Sequence, residues 1–181
     1  KIKNRKVQVE TPDPFTRKEM EVLLSWLDQS LEDEDRFYRW YFELAFWTGC
    51  RPSEMIALRE SDIDWFNGTF KVSKSRVRGL EKKVTKTHTS REVYLNERST
   101  LALKSIIQFK KDQGYKSDYL MLCPQTKEPF FNEKPPRERL VAAMKACQIR
   151  HRPAYNARHT YATMLLMDGV NPMFVADQLG H

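Results

Sequence analysis

The sequence has no apolar run long enough to span a bilayer, and no leader pattern opens it; a cytoplasmic chain is the expectation. It has only three cysteines, Cys50, Cys123 and Cys147, odd in number, scattered and without C-x-x-C spacing. That excludes a disulfide framework and a cysteine zinc site, and predicts buried free thiols. His88 and His151 lack ligand spacing, so no metal is assigned, and no cofactor is called for. Neither an internal repeat nor a low-complexity tract is present. A chain of 181 residues therefore reads as one domain, large enough to bury a core.

Acidic charge is also scarce where basic charge is dense. The formal net charge is +7. Residues 71–91 carry eight Lys/Arg (Lys71, Lys74, Arg76, Arg78, Lys82, Lys83, Lys86 and Arg91) against one acid, Glu81, so this segment alone holds the whole excess. A local basic stripe on a neutral body is the footprint of a polyanion site, with nucleic acid the leading partner and a solvated charged hairpin the plain alternative.

The elements follow from caps and periodicity. Residues 1–13 are basic and then proline-broken, and read as a linker. Thr16 with Glu19 forms a capping box for a helix through Val22, Leu23, Trp26 and Leu27. Residues 35–48 are apolar nearly all round and predict a central helix that Gly49 stops. Pro52 opens a helix over 52–58. Ile63 and Trp65, an Asn67-Gly68 turn, and 69–72 predict a hairpin. Residues 84–95 complete an antiparallel sheet of three strands that bears the basic stripe. Helices follow over 97–112 (capped by Asn96), 137–147, 157–167 (capped by Asn156) and from Pro172 to Gly180 (capped by Asn171). The fold class is mainly α with one small antiparallel β-sheet.

Two arginines stand out physically. Arg51 sits just before Pro52, at the N-terminal mouth of a short helix, where a cation opposes the helix dipole unless an anion lies between. Arg158 opens another helix 107 residues later. Guanidinium is always charged and presents a planar fork to phosphate oxygens, so the pair suggests one phosphate held from two sides. Two surface ion-pairing arginines are the alternative.

The stretch T-G-C-R-P-S-E-M-I-A-L-R-E-S-D-I-D at 48–64 resembles the first signature box of the tyrosine recombinases, the phage integrase family. A-R-H-T-Y-A-T, 157–163, resembles the core of the second box, and the terminal L-G-H resembles its continuation. The blocks stand in the family's order and extend the resemblance over nearly the whole chain. The resemblance implies the recombinase catalytic-domain fold over 14–181, with 1–13 leading in from a DNA-binding domain. It makes Arg51 and Arg158 catalytic, holding the scissile phosphate and its developing charge. It gives Lys86 the general-acid role on the leaving sugar oxygen, with Lys82 and Lys83 as rivals because hairpin register is open. His181 takes a phosphate or proton-moving role. Glu54 orients the active-site groups, or simply stabilises the helix start. His159 supports as a core histidine.

Two departures from the family pattern matter. Tyr155 stands where the family often has histidine; it can hydrogen-bond a phosphate but shuttles protons poorly at neutrality. The nucleophilic tyrosine, expected shortly after L-G-H, has no counterpart before His181, and neither Tyr155 nor Tyr161 replaces it. The domain is thus expected to be incomplete at its C-terminus. The family's reaction cuts and rejoins double-stranded DNA at core sites through a 3′-phosphotyrosyl link, without cofactor or metal. It runs in a homotetramer on DNA in a bacterial host's nucleoid, with accessory DNA-bending proteins in some systems. An inactive DNA-binding regulator on the same fold and a type IB topoisomerase-like relaxase are the other readings.

Overall fold

The computed structural model describes residues 11–83 and 90–181. Helix α1 (Arg17–Ser30) opens on the expected capping box: the Thr16 hydroxyl accepts from Glu19 N, and Glu19 accepts from Thr16 N. A 3-10 turn, Asp33–Arg36, leads into α2 (Phe37–Thr48), so the central helix starts two residues later than its apolar pattern suggests. Its aromatic residues make it the hub. Phe37, Tyr38, Phe42, Leu44 and Phe46 are all buried, and α2 packs on α1, α4 (Glu97–Asp112), α5 (Lys134–Ala146) and α6 (Asn156–Met167). Each such side chain contributes on the order of 1.5–3 kcal/mol by leaving water.

Gly49 ends α2 with φ of 63°, its amide donating to Ala45 O at 3.2 Å. A Cβ at that position would lie 2.5 Å from Tyr161 Cδ1 and 2.9 Å from Leu179 Cδ2. Glycine is required twice here, for the left-handed turn and for the close approach of α6 and α7 (Pro172–Leu179).

The β-structure departs from the expected single sheet. Strands β1 (Ile63–Asp64), β2 (Thr69–Val72) and β5 (Arg91–Tyr94) form one antiparallel sheet in the order β1-β2-β5, with Phe70 opposite both Ile63 and Val93. Among the described residues, strands β3 (Lys74–Val77) and β4 (Leu80–Lys83) pair only with each other. The burial pattern gives the reason. β2 places Phe70 and Val72 in the core, and β5 meets them with Val93; β3 and β4 have no buried residue. The hairpin therefore leaves the sheet at Ser73, and the basic stripe is divided between two pieces of structure.

Smaller differences have local causes. Helix α3 is one turn, Pro52–Met55, instead of reaching residue 58. Helix α5 begins at Lys134 and takes Pro135 and Pro136 into its first turn, where prolines cost no hydrogen bond. Asn156 is the first residue of α6 instead of its cap, because its side-chain amide donates to Asp13 O. The Asn96 and Asn171 caps form as expected. Cys50 and Cys123 are buried free thiols, whereas Cys147 is half-buried. No helix among the described residues is long and apolar enough to cross a membrane.

Candidate active site

The site forms where the end of α2, the start of α3, the first turn of α6 and the end of α7 converge. Arg51 is the N-cap of α3, in extended conformation. The anion that its position demands is built into the chain. Glu54 Oε2 accepts from Arg51 N at 2.8 Å, and Oε1 accepts from Arg51 Nη1 at 2.8 Å. The same carboxylate receives a two-pronged guanidinium: Arg91 Nη1 donates to Oε1 at 3.0 Å and Nη2 to Oε2 at 2.7 Å. Glu54 is 7% exposed. Burial works to raise its pKa, but the hydrogen bonds and charge of Arg91, then those of Arg51, outweigh it and hold the carboxyl below the usual range.

Arg158 is the opposite case. It is 2% exposed and sits among the largest fully buried side chains. Nη1 donates to Gly49 O at 2.8 Å and Nη2 to Leu179 O at 2.5 Å. Both acceptors are neutral carbonyls, and among the described residues no carboxylate pairs with it. Burial and then the nearby Arg51 charge lower its pKa, yet a guanidinium stays protonated. A buried cation without a counter-ion is costly, and a bound anion relieves that cost.

His181 Nε2 lies 3.2 Å from Arg158 Nη2. Guanidinium has no acceptor, so the imidazole accepts there and carries its proton on Nδ1. Burial, then the charges of Arg158, Arg51 and Arg91, depress the His181 pKa below the ordinary histidine value. The side chain is neutral at pH 7. Cys50, beside Arg51, is pushed up to about 11 by burial and stays a thiol.

The structure thus brings Arg51, Glu54, Arg158 and His181 together. Tyr155 stands as the N-cap of α6, 38% exposed, its ring edge-on to His159 at 5.2 Å. His159 is half-buried, its pKa lowered by burial and then by Arg158. Both line an open cleft of about 830 Å³ with Asp13, Arg150 and Asn156. Tyr161 is buried beneath the site and pushed up to about 12 by burial. Lys86 lies outside the described residues.

Within the basic stripe, Lys71, Arg78, Lys82 and Lys83 are exposed, and Lys74 is half-exposed. Arg91 is not available to an external polyanion. Its side chain is 11% exposed, both its outer nitrogens are held by Glu54, and Nε donates to Gln178 O at 2.7 Å. Arg76 is also spent inside, donating to Phe130 O at 2.9 Å and to the Tyr119 hydroxyl at 3.0 Å. These two placements correct the expectation that Arg76 and Arg91 belong to the polyanion-binding stripe. Charge composition cannot tell a solvated cation from one folded onto a carboxylate 37 residues away. Gln178 was not singled out by sequence, yet it docks α7 on β5 by accepting from Tyr94 N at 2.8 Å and donating to Glu92 O at 3.2 Å. No local signal marks that role.

Residues 13–181 match the model of the phage integrase family. The chain belongs to that family. Prophage integrase IntR of Escherichia coli K12 is 27% identical over 190 residues, covering 94% of this chain and 44% of IntR. The chain spans less than half the length of the curated relatives it matches. The fold is that of the tyrosine recombinase catalytic domain. The Tn1549 transposon integrase, solved in complex with circular intermediate DNA, superposes with a TM-score of 0.82 at 22% identity, over 96% of this chain and 60% of that one. The lambda integrase catalytic core gives 0.69 at 18% identity, over 93% and 91%. Among the described residues no group of three or more His, Cys, Asp or Glu side chains gathers as a metal site would require.

Proposed function

We propose that this phage integrase domain is the phosphate-binding part of a DNA strand-transfer active site within a longer tyrosine recombinase. The observation that carries the reading is Arg158: a buried guanidinium held by two carbonyls, beside a second arginine, Arg51, whose own carboxylate is shared with Arg91. The site has more fixed positive charge than anion, and a DNA phosphate is the anion that suits two planar forks.

In this mechanism Arg51 and Arg158 grip the non-bridging oxygens and stabilise the charge that develops as phosphorus becomes five-coordinate. A tyrosine hydroxyl, supplied from sequence beyond His181, attacks phosphorus as its proton passes to neutral His181 or to solvent. The bond to the 5′ oxygen breaks, that oxygen takes a proton from Lys86, and a 3′-phosphotyrosyl link with a free 5′-hydroxyl results. A 5′-hydroxyl from a partner strand reverses the step. Bond energy is kept in the covalent link, so neither ATP nor metal takes part. Neutral His181 accepts from Arg158 and can pass a proton to or from a phosphate oxygen. Glu54 braces Arg51 by holding both its amide and its guanidinium. Tyr155 contributes a hydroxyl to phosphate and His159 supports it. Lys71, Lys74, Arg78, Lys82 and Lys83 track the DNA backbone without reading sequence. A DNA-bound homotetramer is the working assembly.

The test is covalent capture. A protein carrying this domain with its C-terminal continuation is incubated with a nicked suicide duplex and resolved on a denaturing gel. The proposal expects a covalent adduct from the wild type and none from the present 181 residues. A regulator would bind DNA and give no adduct in either form.

A further inference from the structure

Helix α6 points Arg158 into the site, and its opposite face is hooked by a distant part of the chain. Residues spaced two apart on an α-helix lie about 200° round the axis from one another. Asn156 and Thr160, two residues either side of Arg158, therefore share the face turned away from it. Both are buried, Thr160 completely. Thr160 Oγ1 accepts from Phe15 N at 2.9 Å and donates to Asn156 O at 2.8 Å. Asn156 Nδ2 donates to Asp13 O at 2.9 Å. The extended segment 11–15, stiffened by Pro12 and Pro14, is thus fastened to α6 by alternate residues at two points one helical turn apart.

The other contacts of this segment fix it to the body. Asp13 receives Arg150 Nη2 at 2.7 Å and lies 3.2 Å from Arg152 Nε. Arg152 also donates to Glu19 Oε1 at 3.1 Å and lies over the Phe15 ring at 4.8 Å. Phe15 is itself buried edge-on against Phe46 of α2. Arg152 connects the segment to the cap of α1, and Phe15 connects it to the hub helix.

We infer that segment 11–15 is a positioning strap for Arg158: its hydrogen bonds to Asn156 and Thr160 set the depth and rotation at which α6 presents the guanidinium to phosphate. Thr160 and Asn156 are positioning residues, because their side-chain hydrogen bonds go to the helix and the strap and not to the Arg158 guanidinium. Misplacement of a reacting group by about 1 Å costs roughly 100-fold in rate, so a small slip of α6 would be felt in the chemistry.

This inference rests on the strand-transfer reading, and the experiment separates the two. Thr160→Val keeps the shape and removes the hydroxyl; Thr160→Ser restores it. In the longer recombinase, single-turnover cleavage is measured at saturating DNA beside the DNA dissociation constant. Thr160→Val should slow cleavage at least tenfold with affinity within twofold, and Thr160→Ser should lie within threefold of wild type. Asn156→Ala, which cuts only the bond to Asp13, should slow cleavage in the same way, and it replaces Thr160→Val should that variant fail to fold. Wild-type cleavage by both Thr160→Val and Asn156→Ala, or equal loss by Thr160→Val and Thr160→Ser, would overturn the strap. If the wild type cleaves nothing, the strand-transfer reading fails and the strap is judged on this chain alone. The Arg158 Nε–Hε resonance should then move in Thr160→Val and not in Thr160→Ser; an unmoved resonance would overturn the inference.

Discussion

Replacing Glu54 with alanine removes the anion that four donors from Arg51 and Arg91 share. Arg91 would keep its charge in a site where its side chain is 11% exposed, with neutral partners such as Gln178 O in place of a carboxylate. Arg51 would lose partners for both its amide and its guanidinium. Breaking a buried ion pair by deleting one partner costs about 3–5 kcal/mol, a large part of the roughly 5–15 kcal/mol that holds a domain folded. For a domain of this size that corresponds to a fall in melting temperature of about 10 °C. The assay is thermal and urea unfolding of the 181-residue chain, with Arg91→Ala and the double variant to close a cycle. A coupling of at least about 1.5 kcal/mol is expected. The pH dependence has a definite sign. Because the folded pKa of Glu54 lies below its unfolded value, its contribution is fully present above the unfolded value and is lost as pH falls through the folded one. The wild-type advantage over Glu54→Ala should therefore shrink in acid. A melting-temperature change under 2 °C at pH 7 would refute the reasoning, because it would mean the cluster behaves like an exposed ion pair.

Gly49→Ala forces a Cβ into left-handed backbone and 2.5 Å from Tyr161 Cδ1; a loss of at least about 1–2 kcal/mol is expected from the backbone term alone, read by urea midpoint. His181 should titrate in NMR with a midpoint below 6.5, because burial and the Arg158 charge disfavour its protonated form. By the same sign its stabilising effect is complete above 6.5 and lost as pH falls through the folded value; a midpoint above 6.5 would contradict the contact with Arg158. Removing charge at Lys71, Arg78, Lys82 or Lys83 should each flatten the salt dependence of DNA binding by up to about 0.9 per lost phosphate contact. An unchanged slope would mark the stripe as a solvated face.

What was legible in the sequence was local. The Thr16–Glu19 box, the Asn96 and Asn171 caps and the Gly49 stop depend on neighbours within a few residues, and all formed. The all-round apolar pattern of α2 marked the hub because no face of it could be left in water. The motif arginines Arg51 and Arg158 do gather with His181. Partnerships across the fold were not legible. Asn156 has the composition of a cap, but its amide is committed to Asp13, 143 residues away. Arg91 counts as one more positive charge until the fold places Glu54 beneath it. The β3–β4 hairpin left the sheet because strand pairing is decided by which residues find a core, and alternation within 71–77 alone does not reveal that.

The central claim is that Arg51 and Arg158 hold one phosphate from two sides. Its most direct test is a double-mutant cycle on single-turnover cleavage in the longer recombinase, with DNA affinity measured in parallel. Arg51→Ala and Arg158→Ala should each abolish most cleavage while binding persists, and the double variant should be scarcely worse than either single one, as for groups that act as a unit. Near-normal cleavage by either single variant, or losses that simply multiply in the double, would contradict the claim.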